Sequence, residues 1–393
     1  MRASNLPLLA IAALASLAAC TPVDAGAQRD ADGQRAELDT TAGAGALTNR
    51  AYDDRLRTPP GFKVARFARV NTPRFMALGP DGAVYVSRPG AGEVVRLVDG
   101  NGDGVADSRT VAVRGLDEPH GLAFHKGYLY VAGLDGVFRV RLGPDGVAQT
   151  KPERLNRYSG GGGHTTRTVI FGADSAMYVS IGSSCNVCVE RSPDRAAVMR
   201  YDEDGRNGRL YASGLRNAVG MAVHPETKEI WVSQHERDNL RPSHEDLPPE
   251  EINILRDGAH YGWPYCWGDQ HPNPEFDDRA RCARTEPPAL EMQAHSAPLG
   301  LAFLDKATAF PEEYRGDALL AFHGSWNRRE PTGAKVVRIR VQNGRPVSYE
   351  DFITGWQDSR GKRWGQPVDV LVYRDGSVLV SDDAGGAIYR VYR

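Results

Sequence analysis

Apolar residues fall in short runs along this chain, separated by clusters of glycine, proline, aspartate and asparagine. From residue 76 onward the runs repeat. Six stretches share an apolar strand, a turn with Gly or Asp, and a second strand ending in valine or serine. They read MALGPDGAVYVSRP, GLAFHKGYLYVAGL, TVIFGADSAMYVSIG, GMAVHPETKEIWVSQH, GLAFLDKATAFPEEYRGDALLAFHG and DVLVYRDGSVLVSDD, starting near residues 76, 121, 168, 220, 300 and 369. Several lead into a third alternating run, such as GEVVRLVD, GVFRVRL, AAVMRYD, KVVRIRV and AIYRVYR. Alternation with period two marks half-buried strands, and no convincing long amphipathic helix interrupts it. Six such units predict an all-β chain, a six-bladed β-propeller of four-stranded antiparallel blades. The run FKVARFA, ahead of the first repeat, is expected to complete the last blade and close the ring. The widest spacings follow residues 220 and 300 and leave room for long loops, which commonly build the site on one propeller face.

Composition changes this picture little. Of 393 residues, 41% are hydrophobic and 25% charged, with a formal net charge of −2, as in ordinary globular proteins. No basic stripe is present, which argues against a nucleic-acid partner. The first residues are distinct. Arg2 precedes LPLLAIAALASLAAC, which is short for a membrane span and ends in small residues. Leu17–Cys20 resembles a bacterial lipobox, the alternative being an ordinary cleaved signal with a chance cysteine. Thr21 rather than aspartate follows, which implies outer-membrane retention. The expected organisation is a lipoprotein signal at 1–20 ending in a lipidated Cys20, a polar disordered tether at 21–55, and the propeller at 56–393. The expected location is the periplasmic side of the outer membrane, or otherwise the periplasm or medium. In an oxidising compartment Cys185, Cys188, Cys266 and Cys282 are expected to form two local disulfides. A zinc site built from all four is the alternative; CNVCV lacks the histidine of a c-type haem site.

Four segments carry candidate chemistry. In DGNGDGVAD, Asp99, Asn101, Asp103 and Asp107 place oxygens at alternate positions around glycine turns, as a shortened EF-hand-type calcium loop does. A polar hairpin capped by its own side chains is the alternative. His164 follows four glycines and stands just before the third repeat's first strand. Arg216 and Asn217 stand just before the fourth repeat's first strand. In a propeller these equivalent positions gather around the central channel, so a base, a cation and an amide converge on one face. After the fourth repeat comes a long prolyl, acidic segment containing EINIL and HYGWP. There the backbone around Asp238 and Asn239, with Glu251 nearby, can hold a second calcium; a solvated acidic loop closed by a Cys266–Cys282 bridge is the alternative. Trp263 and Tyr261 read as packing residues, as do most histidines; His235 and His323 are the two placed to line the channel.

The succession GHTTRTVIFGADSAMYVSIG, GLRNAVGMAVHP, EEINILRDGAHYGWP and DVLVYRDGSVLVSDD resembles the soluble PQQ-dependent sugar dehydrogenases, nearest their sorbosone-dehydrogenase-like and pyranose-dehydrogenase branch. The resemblance spans about residues 56–393. It implies PQQ and Ca2+ as cofactors, with calcium polarising the quinone carbonyl. His164 then takes the substrate hydroxyl proton as hydride leaves for the quinone. It also implies Arg216 and Asn217 at the quinone oxygens, and backbone carbonyls of Asp238 and Asn239 on the cofactor calcium. Trp326 and Arg328 flank the mouth, and Arg328 or Lys335 meets a PQQ carboxylate. The partners implied are a sugar substrate and a quinone or cytochrome electron acceptor.

Two features depart from the glucose-oxidising branch. Gln366 and Val368 stand where that branch has two arginines, so Arg363 is a candidate substitute, and the segment after Asn239 carries the insertion RPSHEDLPP. Two other functions compete: a calcium-dependent lactonase-type hydrolase, which needs acidic and amide side chains converging on a central metal, and a non-catalytic binding propeller that has lost the cofactor.

Overall fold

The computed structural model describes residues 55–241 and 245–393. The signal segment, Cys20 and the tether up to residue 54 lie outside the described residues. Six four-stranded antiparallel sheets follow the six repeats. The first blade contains Met76–Leu78, Val84–Arg88, Glu93–Val98 and Ser108–Arg114, from the axis outward. The third is Arg167–Phe171, Met177–Ile181, Ala197–Tyr201 and Arg209–Ser213, and the fourth is Ala218–Val223, Ile230–Gln234, Glu250–Leu255 and Leu290–Met292. The sixth joins Pro367–Val372, Val378–Asp382 and Ala387–Tyr392 to Lys63–Arg69, the expected strand from before the first repeat. Each innermost strand packs against those of the adjacent blades, so the ring is closed.

The second strands, such as Ala318–Phe322, are buried on both sides because each blade is sandwiched between two others. That explains why period-two alternation blurs there into continuous apolar runs. The serine that recurs in these strands has a specific task. Ser87, Ser180, Ser233 and Ser381, all buried, accept hydrogen bonds from the innermost-strand amides of Phe75, Thr168, Gly220 and Asp369 at 2.9–3.3 Å. Ser233 also donates to Leu299 O (2.7 Å) and Ser381 to Arg74 O (2.7 Å), each on the next blade. Ser233 and Ser381 therefore stitch neighbouring blades together near the axis, while Ser87 donates back to Phe75 O in its own blade.

Phe75, Val219, Leu299 and Val368 form a buried apolar cluster of their own, one residue from each of four innermost strands or the turn leading into one. They plug the channel beneath one face. Both disulfides form, Cys185–Cys188 and Cys266–Cys282. The second lies in an excursion from the fourth blade. Its Ala259–His260 segment adds a parallel fifth strand to the third blade and carries Trp263 up to the face where His164 lies.

Val368 is fully buried in the plug, which is a structural reason for valine where a cofactor arginine was considered. Val368→Arg is expected to cost at least about 3 kcal/mol by burying an unpaired charge, read as a lower urea midpoint. An unchanged midpoint would mean that position 368 opens to solvent.

Candidate functional site

His164, Arg216, Asn217, residues 235–241 and 245–249, the His323–Ala334 connection, Gln366 and Asp383 all lie in loops at one end of the blades, because antiparallel strands return there. The Asp99–Asp107 loop joins the third and fourth strands of the first blade and so stands at the opposite end. Its carboxylates turn onto their own backbone. Asp99 accepts from the amides of Gly102 (2.7 Å) and Gly104 (3.1 Å), and Asp107 from Gly100 (2.6 Å) and Asn101 (3.2 Å). Among the described residues, three close His, Cys, Asp or Glu donors come together only at Cys185, Cys188 and Glu190, and those cysteines are bridged.

The glycine-rich run before His164 is tightly held. Two largely buried arginines gather its carbonyls: Arg195 donates to Gly160, Gly161 and Gly162, and Arg167 to Ser159, Gly160 and His164. Gly163 has φ +57°, and a methyl there would stand 2.4 Å from Ser183 O, so both conformation and proximity require glycine. This closeness presses His164 against Ser183. Nδ1 lies 2.9 Å from Ser183 Oγ and 3.3 Å from Ser183 O. Ser183 Oγ already donates its own proton to Cys185 O at 2.6 Å. Nδ1 is therefore the protonated nitrogen, and Nε2 keeps a lone pair with no protein partner among the described residues. Burial first, then the charge of Arg216 and neighbouring His235, holds the imidazole pKa well below its usual value. At neutral pH His164 is an uncharged base.

Arg216 is buried and all its nitrogens are engaged. Nε donates to Asn186 O (3.1 Å), Nη1 to Glu236 O (2.7 Å) and His235 O (3.4 Å), and Nη2 to Asn186 Oδ1 (3.0 Å) and Asp238 (3.2 Å). Asn217 Nδ2 faces His235 Nδ1 at 3.4 Å, and its Oδ1 is buried without a hydrogen-bond partner among the described residues. A methyl on Gly182 would lie 2.6 Å from both Asn217 Oδ1 and His164 Cβ, so these two side chains meet over that glycine. The carboxylate of Asp238 takes Arg216 on one oxygen and Asn327 (2.7 Å) on the other, while its carbonyl accepts from Asn186 (2.9 Å). Asn239 is exposed with φ +61°.

Trp326 projects into solvent at 76% exposure, next to the Asn327 that binds Asp238. Arg328 binds Asp246 (3.2 Å) and the Glu245 carbonyl. Lys335 turns outward to Asp351 at 2.6 Å, away from this group. Arg363 lies over Gly324 and donates to Ser325 O. Glu251 sits deeper, bonded by Gln234 (3.0 Å) and Asn253 (2.9 Å). Trp263 is buried, as expected for a packing residue, with Nε1 donating to Asn186 O at 3.0 Å.

Sequence reasoning missed a second cluster. Arg74 and His323 both bind Asp383, at 2.6 and 3.0 Å, and Gln366 Nε2 caps the other side of His323 at 3.3 Å. Burial opposes ionisation of Asp383, yet its pairing with His323 and Arg74 holds its carboxyl well below the usual carboxylate range. Arg74 and Asp383 are 309 residues apart, and only ring closure joins them. His323 and Gln366 each stand out in the sequence, but their meeting with Arg74 and Asp383 does not.

The fold and site define a six-bladed propeller with a neutral histidine, buried cations and an exposed indole around a closed channel mouth. The TrAA12-like family model matches residues 56–393, and the chain belongs to that family. A Borreliella burgdorferi protein described only as uncharacterized is 28% identical over 86% of this chain and 90% of its own length. A pyrroloquinoline quinone-dependent pyranose dehydrogenase from Coprinopsis cinerea is 24% identical over 85% of this chain, which spans only 54% of that protein. The calcium structure of the Trichoderma reesei AA12 enzyme superposes with a TM-score of 0.75 at 22% identity, covering 86% of this chain and 97% of that one.

Burial gives the site a characteristic pH response. It raises Glu250 to about 8 against the pull of two amides, and lifts Glu251 well above its usual value. Folded carboxyls with raised pKa stabilise below the unfolded value and lose that contribution as pH climbs through the folded one. His120, His164 and His235, held below 6.5, act oppositely: their contribution is present above about 6.5 and is lost as pH falls from there through their lower folded values. Stability is therefore expected to fall between about pH 7 and about pH 8.5, read by urea midpoints. A midpoint that rises across that interval would contradict the protonated state of Glu250. Gly163→Ala is expected to cost about 1–3 kcal/mol in the same assay.

Proposed function

We propose that this chain is an oxidoreductase that oxidises a sugar or sugar aldehyde and passes the electrons to PQQ, with calcium at the same site. The observation that carries the reading is His164, a neutral imidazole whose Nδ1–H is committed to Ser183 and whose Nε2 is left to accept a proton. The residues present fit an anionic, planar cofactor. Arg74, Arg328 and Arg363 bring cations to the same face, Trp326 offers an exposed indole, and Asn217 Oδ1 is a buried acceptor without a partner among the described residues. The likeness to a PQQ-dependent pyranose dehydrogenase supports cofactor and substrate class, and the calcium structure among its neighbours supports the metal.

PQQ, when bound, supplies a two-electron acceptor for the hydride of a substrate C–H bond. The chain's own residues do the rest. His164 Nε2 accepts the hydroxyl proton as that C–H bond gives up its electron pair, leaving a carbonyl. Arg216, fixed by Asn186 and Asp238, supplies positive charge beside the reacting group. Arg74, Arg328 and Arg363 would hold the cofactor's carboxylates, and Asp238 and Asn239 would lie beside calcium. The electron acceptor in this reading would be a quinone or a periplasmic cytochrome. The lipobox-like LAAC supports a lipid anchor at Cys20 on the periplasmic side of the outer membrane, and two disulfides accord with an oxidising compartment.

The lactonase reading finds less support. The channel beneath the mouth is closed by Phe75, Val219, Leu299 and Val368 rather than opened onto convergent carboxylates.

Protein reconstituted with PQQ and Ca2+ is expected to reduce an artificial dye acceptor with at least one aldose or sugar aldehyde from a panel. His164→Ala is expected to lower turnover by about 10²-fold or more. An unaltered rate would remove His164 from the chemistry, and no dye reduction with any sugar would overturn the substrate class.

A further inference from the structure

From sequence the loop Cys185–Cys188 reads as a local bridge, with a four-cysteine zinc site as the alternative. Its interior residue Asn186 makes five hydrogen bonds to the site. Its carbonyl accepts from Arg216 Nε (3.1 Å) and Trp263 Nε1 (3.0 Å). Its side-chain oxygen accepts from Arg216 Nη2 (3.0 Å) and the Asp238 amide (2.8 Å), and Nδ2 donates to Asp238 O (2.9 Å). At the entrance to the same loop, Ser183 receives His164 Nδ1–H and passes its own proton to Cys185 O. Backbone bonds repeat the pattern: His164 N donates to Ser183 O (2.9 Å) and Ser183 N to Arg216 O (2.8 Å). Ser184 is held in turn by Glu190 at 2.6–2.7 Å.

We propose that Asn186 and Ser183, carried on the loop closed by the Cys185–Cys188 disulfide, are positioning residues that together set Arg216, Asp238 and the ring of His164. The loop has no regular secondary structure, and the sites it joins come from three separate connections. A covalent clasp limits the conformations that such a loop can explore. Loss of Ser183 Oγ leaves His164 Nδ1–H only the longer contact to Ser183 O (3.3 Å), which loosens the ring toward tautomer exchange and lets the lone pair move from Nε2 to Nδ1. Loss of the Asn186 side chain removes one partner of Arg216 Nη2 and two bonds to Asp238. The charged and titratable groups acting on His164 are Arg216, His235 and Arg167, so any retreat of Arg216 is also sensed by the imidazole.

The proposal rests on the oxidoreductase reading for what His164 and Arg216 do, but not for how they are held. The test therefore has two arms. In the metal-free, PQQ-free protein, nitrogen-15 NMR of the His164 ring reports the tautomer. Wild type and Ser183→Thr should show Nδ1–H alone, whereas Ser183→Ala and the double variant Cys185→Ser/Cys188→Ser should show a mixture. In the PQQ-loaded enzyme, Ser183→Ala and Asn186→Ala should lower kcat by about 10²-fold with KM within a few-fold, and Ser183→Thr should restore it. The acid limb of the Asn186→Ala rate profile should shift to higher pH. Melting curves run in parallel identify any variant that fails to fold, and the NMR arm then stands on Ser183→Thr against Ser183→Ala. An unchanged tautomer in Ser183→Ala, or Asn186→Ala with wild-type kcat and acid limb, would overturn the proposal. A wild-type enzyme inactive with every sugar would overturn the functional reading instead, leaving the tautomer to decide the positioning.

Discussion

The seam between Lys63–Arg69 and Ala387–Tyr392 joins the two ends of the propeller through antiparallel hydrogen bonds. A single blade has two apolar faces and no means of covering them, so each depends on its neighbours and the last depends on the first. Only this strand exchange lets the sixth blade pack against the first through Phe67, Val70, Leu379 and Ile388. The same closure brings Arg74 to Asp383 and threads the Met76 amide onto Asp369, fastening the ring from within as well as at its rim.

A rigid ring explains why a loop rich in glycine can hold a chemically demanding side chain. The run ending at Gly163 has little intrinsic order, yet Arg167 and Arg195 collect its carbonyls and Ser183 receives the ring of His164. Glycine is used there to let two backbones approach, not to let one move. Burial supplies the rest: it keeps the imidazole neutral and Glu250 protonated, while Arg216 is bound on every nitrogen. Oriented polar groups in a dry setting are what a proton-abstracting site needs before substrate arrives.

Much of this was legible in the chain. Strand repeats, ring closure by FKVARFA, both local disulfides and the convergence of His164 with Arg216 and Asn217 follow from period, compartment and equivalent positions in successive units. Other parts were hidden for physical reasons. Lys335 reads as a mouth cation, but its place at the start of a strand directs it to Asp351 on the adjacent strand. Val368 reads as a lost cofactor contact until Phe75, Val219 and Leu299 surround it. Asn186 looks like a spacer between cysteines, because its partners Arg216, Asp238 and Trp263 lie 30, 52 and 77 residues away. Pairings of that kind depend on loops from several blades meeting, and no local pattern encodes them.

The central claim is that one face of this propeller holds a quinone cofactor beside a neutral histidine. Calorimetric titration of PQQ into the metal-stripped protein at neutral pH, with and without Ca2+, tests it most directly. The account predicts one PQQ per chain, bound more tightly with Ca2+ and more weakly after Arg74→Ala. Absence of binding in both conditions, or binding indifferent to Ca2+ and to Arg74, would contradict it.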